Sequence, residues 1–534
     1  MLIRYLPKLD NIFKVYFFTL IFTSIQLESK ELEIKGELTT TGYVYQTETD
    51  TQKSEVNQVA AITPSATAIY SSKHINMSAT AEHVKVERFS GDVGVNESYT
   101  EFSYNGSSAF IDNALTLSIR GQESYRVINQ EQDYVSDKVL ASGDLTKFNN
   151  TVATLNFITP NPEYIGLSTQ TRYSETTSEQ SLESELGLDS SNRSVTATIF
   201  QGTKVENINW NLSTIYNDIS RSSFQDYSST LMNGFIGIPV SQNMSVIFQG
   251  SSSTYDVDTD SLVARTNLDT TSYGAGLEWQ PMEDRSVSIT YNQLKEGDNN
   301  ISYLGLGLDW AFSSRTALNF NYDKKFYGDA YSIDFSHNLK FFRSSLAYSE
   351  QVTSFSLLST DEGTTALFVC PFGSVDLSEC FQPDSLNYEL QAGEEFISST
   401  DIETDISEEI ILRKAGSFKI GYDKRRLKTA LTLSFGETEY LESGQFQTTR
   451  RARLIIAYEL SQKTDVTLNT LYSISDLRSS DNTNTTVTSS IDITRKVSQH
   501  LESNFGMRLL DRNSSSANND VNDKRITLGL TYIF

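Results

Sequence analysis

From about residue 31 to the end, apolar and polar side chains alternate with a period of two, which marks β-strands rather than helices. In "YLGLGLDWAF" (303–312), Leu304, Leu306, Leu308, Trp310 and Phe312 share one face, and Gly305, Gly307 and Asp309 share the other. In "SYGAGLEWQ" (272–280), Tyr273, Leu277 and Trp279 oppose Gly274, Gly276 and Glu278. "TALNFNYD" (316–323), "LKTALTLSF" (427–435) and "LESNFGMRLL" (501–510) repeat the pattern. The chain closes on "KRITLGLTYIF", where Ile526, Leu528, Leu530, Tyr532 and Phe534 form an apolar face opposite Arg525, Thr527, Gly529, Thr531 and Ile533. An apolar terminal strand left as a free edge invites aggregation. It is stable if it is paired on both sides and its apolar face meets lipid.

The second face decides between a β-sandwich and a barrel. A sandwich exposes that face to bulk water and loads it with charge. Here it is mostly Gly, Ser, Thr and Asn, which suits a crowded, water-filled interior. Aromatic residues fall near segment ends (Trp279, Trp310, Phe312 and Tyr322), where membrane-spanning strands place interface belts. Short, relatively basic turns such as 71–74, 240–243, 312–316, 337–340 and 423–428 alternate with longer acidic links such as 125–147 and 355–408. Short periplasmic turns with longer outer loops are the pattern of outer-membrane barrels. Walking the hairpins predicts an all-β, antiparallel, up-and-down transmembrane barrel of about 24 strands, within a range of about 20 to 26. The register is hardest to place in 97–124 and 175–220. No second domain, plug sequence or Pro-rich linker interrupts 30–534, which reads as one domain.

Composition adds three constraints. The 534 residues carry 68 acidic against 43 basic side chains, a net charge of −25. No concentrated basic surface offers to neutralise phosphates, so nucleic acid is excluded as a partner. Polarity does not argue against a membrane barrel, because the lumen-facing half of its strands is polar. Residues 1–29 read as a secretory signal peptide: Arg4, Lys8 and Lys14 precede the apolar run "VYFFTLIFTSI" (15–25), which is short for a membrane-spanning helix. The competing reading is an N-terminal anchor. The two cysteines, Cys370 and Cys380, lie in the irregular 355–408 segment and fit a small disulfide loop in an oxidising compartment.

The terminal face from Ile526 to Phe534 resembles the C-terminal signal read by the outer-membrane barrel assembly machinery. The stretches "VAAITPSATAIYSSKHINMSATAEHVKVER" (59–88) and "EEIILRKAGSFKIGYDKRRLKTALTLSFGETEYL" (408–441) resemble the outer-membrane β-barrel family associated with PEP-CTERM/exosortase systems. That resemblance covers the chain from about residue 57. It implies a role in exopolysaccharide export or outer-membrane organisation, with exopolysaccharide and periplasmic export components as partners, and brings no catalytic residues.

Candidate chemistry is sparse. No phosphate-binding loop, nucleophile elbow or zinc-binding His-Glu-x-x-His is present. His83 with Glu87 is the nearest approach to a catalytic pair, and a solvated rim histidine is the simpler reading. The acidic run Glu394, Glu395, Asp401, Glu403, Asp405, Glu408 and Glu409 suits oxygen ligation of Ca²⁺, yet its spacing matches no EF-hand and a solvated outer loop accounts for it. The basic turn with Lys424, Arg425, Arg426 and Lys428 reads either as a solvated turn or as a dock for an acidic polysaccharide or periplasmic partner. No cofactor, metal or enzymatic activity is expected. The expected surroundings are outer-membrane lipid and lipopolysaccharide. The leading function is a pore or export channel, with a non-conducting structural or assembly protein as the alternative.

Overall fold

The structure is a computed structural model that describes residues 31–49, 56–90, 97–111, 114–127, 138–139, 145–179, 189–222, 225–256, 268–297, 299–354, 368–371, 394–396, 409–476, 483–515 and 520–534. The predicted signal peptide lies outside these residues.

Alternation along the chain becomes twenty-six strands. The first are β1 (Glu31–Thr49), β2 (Asn57–Ser71), β3 (Ile75–Ser90), β4 (Glu97–Phe110), β5 (Leu115–Val127), β6 (Leu145–Ile158), β7 (Ile165–Ser178), β8 (Asp189–Gln201) and β9 (Asn209–Arg221). Next come β10 (Tyr227–Ser241), β11 (Met244–Asp256), β12 (Thr270–Met282), β13 (Arg285–Glu296), β14 (Asn299–Ser313), β15 (Thr316–Lys325), β16 (Gly328–Leu339) and β17 (Phe342–Ser354). Two short strands follow, β18 (Val369–Pro371) and β19 (Glu394–Phe396). The last are β20 (Ile410–Lys424), β21 (Leu427–Tyr440), β22 (Phe446–Ser461), β23 (Thr464–Asp476), β24 (Thr483–Lys496), β25 (Leu501–Ser514) and β26 (Val521–Ile533). No helix occurs among the described residues.

All strands except β18 and β19 form one 24-stranded antiparallel sheet in which each pairs with its neighbours in the chain, β17 pairing directly with β20. The ring closes where β1 meets β26, in continuous register from Glu37↔Ile533 to Thr49↔Val521. Closure removes both free edges, which answers the edge problem that the terminal strand poses. Phe534 extends the seam: its N–H donates to the Gly36 carbonyl (2.9 Å) and its carbonyl accepts from the Gly36 N–H (3.1 Å). The Phe534 ring occupies the space above Gly36. A Cβ at position 36 would lie 2.2 Å from that ring, so only glycine fits beneath it.

The side chains sort by strand parity. On β26, Leu528 and Phe534 are 62% and 67% exposed on the outer face, while Asp523 and Arg525 are buried on the inner one. Leu277, Trp279, Leu304, Phe312, Phe435 and Leu509 continue the exposed apolar exterior around the ring. So large a contiguous apolar belt is tolerated only against lipid. A closed strand ring with an apolar exterior and a polar interior is an outer-membrane β-barrel, and that architecture belongs in a bacterial outer membrane.

The two ends differ. Tight turns at 72–74, 242–243, 283–284, 314–315, 340–341, 425–426 and 462–463 share one end with the start of β1 and the end of β26. The other end carries the long links, including 128–144, 257–269 and 355–409. Two connections on that side are short, 297–298 and 326–327, and each abuts a glycine in the left-handed region, Gly297 (φ 56°) and Gly328 (φ 112°). Most strands exceed the roughly 9–11 residues needed to cross a bilayer, so their ends project beyond it.

Candidate functional site: the lumen and its outer mouth

Part of the inner wall is polar and exposed. On β15, Asn321 Nδ2 donates to Asn319 Oδ1 (2.8 Å), with both residues exposed to the lumen. Higher on the wall, Gln249 Nε2 donates to Thr290 Oγ1 (3.0 Å) and Asn292 Oδ1 (2.9 Å), and Asn292 Nδ2 donates to Thr290 Oγ1 (2.8 Å). These side chains lie flat because a glycine faces them. A Cβ on Gly305 would sit 2.6 Å from Asn292 Nδ2. The glycine face noted in "YLGLGLDWAF" thus makes room for neighbouring polar groups to lie along the wall.

Toward the long-link end the interior is filled. Deeply buried large side chains gather there: Val86, Phe148, Ile219, Leu294, Ile410, Tyr440 and Leu441; Phe368 and Val369 from the 355–408 link are buried as well. One cluster joins Tyr45, Val59, Val84, Val86 and Tyr99 to Val139, which comes from the 128–144 link. Polar contacts hold that link segment in place. Arg88 Nη2 donates to the Val139 carbonyl (2.9 Å), and Lys138 Nζ pairs with Glu101.

The second cluster bridges the mouth. It unites Ile219 and Tyr227, from the ends of β9 and β10, with Ile410, Leu412 and Leu441, at the ends of β20 and β21. Strands β11 to β17 lie between these two places in the ring. Phe326, from the short 326–327 turn, joins the cluster and packs edge-on against Tyr255 (6.0 Å) and Tyr327 (5.2 Å). Burial, then the charge of Glu350, pushes the Tyr327 phenol above its usual range, so this turn contributes a neutral hydroxyl.

The centre of the bridge is a fork-to-fork ion pair. Arg221 Nη1 donates to Glu442 Oε2 (2.9 Å) and Nη2 to Glu442 Oε1 (3.1 Å), with side chains 1% and 5% exposed. Both partners are fixed by further bonds. Arg221 Nε donates to the Gln225 carbonyl (2.7 Å) and its guanidinium stacks over Tyr227 (5.2 Å). Glu442 Oε2 also accepts from the Ile410 N–H (3.0 Å). A desolvated bidentate pair of this kind is stable only while both partners remain, and removing one leaves a buried charge.

The residues singled out in the sequence fall as follows. Ile526, Leu528, Leu530, Tyr532 and Phe534 line the outer side of the seam, and the Tyr532 ring lies between Phe534 (6.0 Å) and His500 (6.3 Å). Trp279 and Trp310 meet at 6.1 Å near the tight-turn end, with Phe312 exposed beside that turn and Arg285 over Trp310 (5.6 Å). Tyr322 lies at the opposite end and packs on Tyr331 (5.3 Å). Cys370 is in β18, across from Glu395, while Cys380 and any Cys370–Cys380 disulfide lie outside the described residues. Asp401, Glu403, Asp405 and Glu408 also lie outside them. Glu409 is buried and accepts from the Ser443 N–H (3.1 Å). Among the described residues no group of three acidic, His or Cys side chains could hold a metal ion. His83 does not join Glu87: its Nδ1 pairs with Thr100 Oγ1 (2.8 Å), while Glu87 pairs with Lys85 (2.8 Å). Lys424 and Lys340 both lie over the Phe341 ring (5.3 and 5.2 Å) beside the exposed Arg425–Arg426 turn.

No protein-family model and no curated protein matches the chain. Among solved structures it is similar to the FrpB iron transporter from Neisseria meningitidis, F3-3 variant (10% identity, 94% of this chain and 82% of that one, TM-score 0.39). It is also similar to the siderophore receptor PirA from Pseudomonas aeruginosa (8% identity, 95% and 81%, TM-score 0.39). A third is the ferric enterobactin receptor PfeA in complex with BCV-L6 (8% identity, 95% and 82%, TM-score 0.39). At these values nothing about cargo carries across, and the barrel rests on its own strand pairing.

Arg221 and Glu442 drew no notice in the sequence. They stand 221 positions apart, and nothing in the local pattern of either strand pairs them.

Proposed function

We propose that the protein is an outer-membrane passage, a transport or export channel held shut at its outer mouth. The observation that supports this reading is a contrast along the wall: exposed polar side chains such as Asn319 and Asn321, and a buried cluster that joins distant strand ends at the outer mouth. Because side-chain contacts make the closure, a modest rearrangement reopens it while the ring stays paired. The cargo class suggested by the family resemblance is exopolysaccharide of a PEP-CTERM/exosortase system. The partners in this reading are lipopolysaccharide at the acidic outer links, the barrel assembly machinery at the β26 seam, and a periplasmic export component at the basic 424–428 turn. No step of it needs a catalytic residue or cofactor.

The test is flux through proteoliposomes loaded with labelled oligosaccharides. Glu442→Gln protein should release them faster than empty vesicles, and wild type more slowly than the variant. Retention by both, with the barrel folded, would sink the passage reading. It would favour the alternative of a non-conducting structural barrel, for which the core-like packing at the mouth is the supporting observation.

A further inference from the structure

We propose that the lumen wall of β6, β7 and β8 carries a binding site for a neutral saccharide, built from Asn150, Ser174, Thr176, Ser190 and Asn192 and uncovered when the mouth opens. Strand parity places the five side chains on the lumen face. Leu155, Leu167, Val195 and Ile199, at odd positions, are exposed on the exterior, and the five residues occupy even ones. Register gathers them. Asn150 lies opposite Thr176, and Thr176 lies opposite Ser190. Ser174 lies opposite Asn192, one lumen-facing step toward the periplasm. With strands about 4.8 Å apart, the first row spans about 10 Å, and the second lies about 7 Å further along the wall. The patch adjoins the bridge across the mouth: Ser190 lies opposite Arg221 on β9, and Asn192 opposite Ile219.

Unmet hydrogen-bonding capacity points to a ligand. The five residues are between 1% and 8% exposed. Asn150 Oδ1, Ser174 Oγ, Thr176 Oγ1, Ser190 Oγ and both amide atoms of the Asn192 side chain have no hydrogen-bond partner among the described residues. Buried polar atoms are nearly always paired, so six in one patch call for a reason. Elsewhere on the wall, Gln249, Thr290 and Asn292 answer one another. None of the five is charged, and Arg221 beside them is committed to Glu442 and to the Gln225 carbonyl. The three hydroxyls and Asn192 each donate as well as accept. Sugar hydroxyls do the same, whereas a carboxylate or phosphate chain brings charge that the patch does not answer. Phe148 and Val152, buried on either side of Asn150, set apolar surface beside the polar groups, as ligand sites commonly do. Unpaired in the closed mouth, these groups cost free energy. A saccharide that pairs with them once Ile219 and Arg221 part from the far strands binds the open mouth preferentially and so favours it.

This inference rests on the passage reading, and its test separates the two failures. Protein purified from membranes in detergent is titrated into fluorescently labelled maltohexaose, and anisotropy is read. The control is per-O-methylated maltohexaose, which has no hydroxyl to donate. Glu442→Gln protein, with its mouth loosened, should bind maltohexaose at least fivefold more tightly than wild type, with little dependence on salt. Neither should bind the methylated chain. Thr176→Val/Asn192→Leu, made in wild type and in the Glu442→Gln background, should weaken binding at least tenfold while heat-dependent gel mobility is kept. Ser174→Ala/Ser190→Ala should weaken it severalfold and serves if the first pair does not fold. Absence of maltohexaose binding from folded Glu442→Gln protein, the result expected if water alone answers these groups, would overturn the proposal. Unchanged binding in the folded pair variant, or equal binding of the methylated chain, would overturn it too. Equal affinity of wild type and Glu442→Gln would overturn the coupling to the mouth. Silent conductance with intact, variant-sensitive binding would count against the passage alone.

Discussion

The outer mouth and the periplasmic half of the lumen are built from the same strands by opposite means. Below, Asn319 and Asn321 are exposed on the wall, and higher up Gln249 joins the buried Thr290 and Asn292 in a network, each group bonded to a close neighbour. Above, Ile219, Tyr227, Ile410 and Leu441 pack like a protein core, and Arg221 and Glu442 tie places far apart in the ring. Local bonds order one part of the wall; contacts between distant strands join the other. The difference is that the second is tertiary and additional to the strand pairing of the barrel.

Breaking the ion pair should have the largest effect. Glu442→Gln or Arg221→Met alone should cost the mouth about 3–5 kcal/mol, because each leaves a buried charge or its donors without a partner. Local hydrogen exchange at 409–412 and 440–445 should rise while the central strands stay protected. The double replacement Arg221→Met/Glu442→Met should recover most of that protection, since apolar side chains of similar volume suit the surrounding cluster. A double variant as labile as either single one would mean that the pair does more than fill and neutralise the mouth.

The seam offers the next contrast, because it holds both halves together. Gly36→Leu should overpack Phe534, costing about 1–3 kcal/mol, and lower the yield of heat-modifiable barrel. Deleting Phe534 removes two backbone hydrogen bonds and the ring, and should slow insertion in a membrane-assembly assay. Normal insertion of that deletion would detach the terminal residue from assembly.

Much of this was legible before any coordinates. Alternation in "YLGLGLDWAF" gives the lipid and lumen faces of β14, and the alternating link lengths give a ring of about 24 strands with both ends on the turn side. The seam role of Phe534 was legible as a face, but not its seat over Gly36, because that depends on how β1 and β26 register. The mouth was not legible at all. Arg221 ends one ordinary strand and Glu442 follows another, and period-two patterning carries no information about which loops meet across a lumen.

A smaller effect should come from the other pinned link. Lys138→Met removes the Glu101 pair, which is partly solvent-exposed, and should cost about 1 kcal/mol or less. It should loosen the 138–139 contact, read as faster proteolysis in the 128–144 link, without opening the Arg221–Glu442 side. The smallest effect should follow Trp279→Ala at the periplasmic belt. The variant loses one exposed ring contact with Trp310 and should shift thermal stability slightly with no change at the mouth.

The most direct test of a passage closed at its outer mouth is single-channel conductance in a planar bilayer, wild type against Glu442→Gln at the same salt and voltage. The structure predicts a wild type that is silent or opens rarely, and a variant that opens in sustained steps. Steady wild-type conductance equal to that of the variant would contradict closure by the ion pair and its cluster, and silence from both would contradict the passage itself.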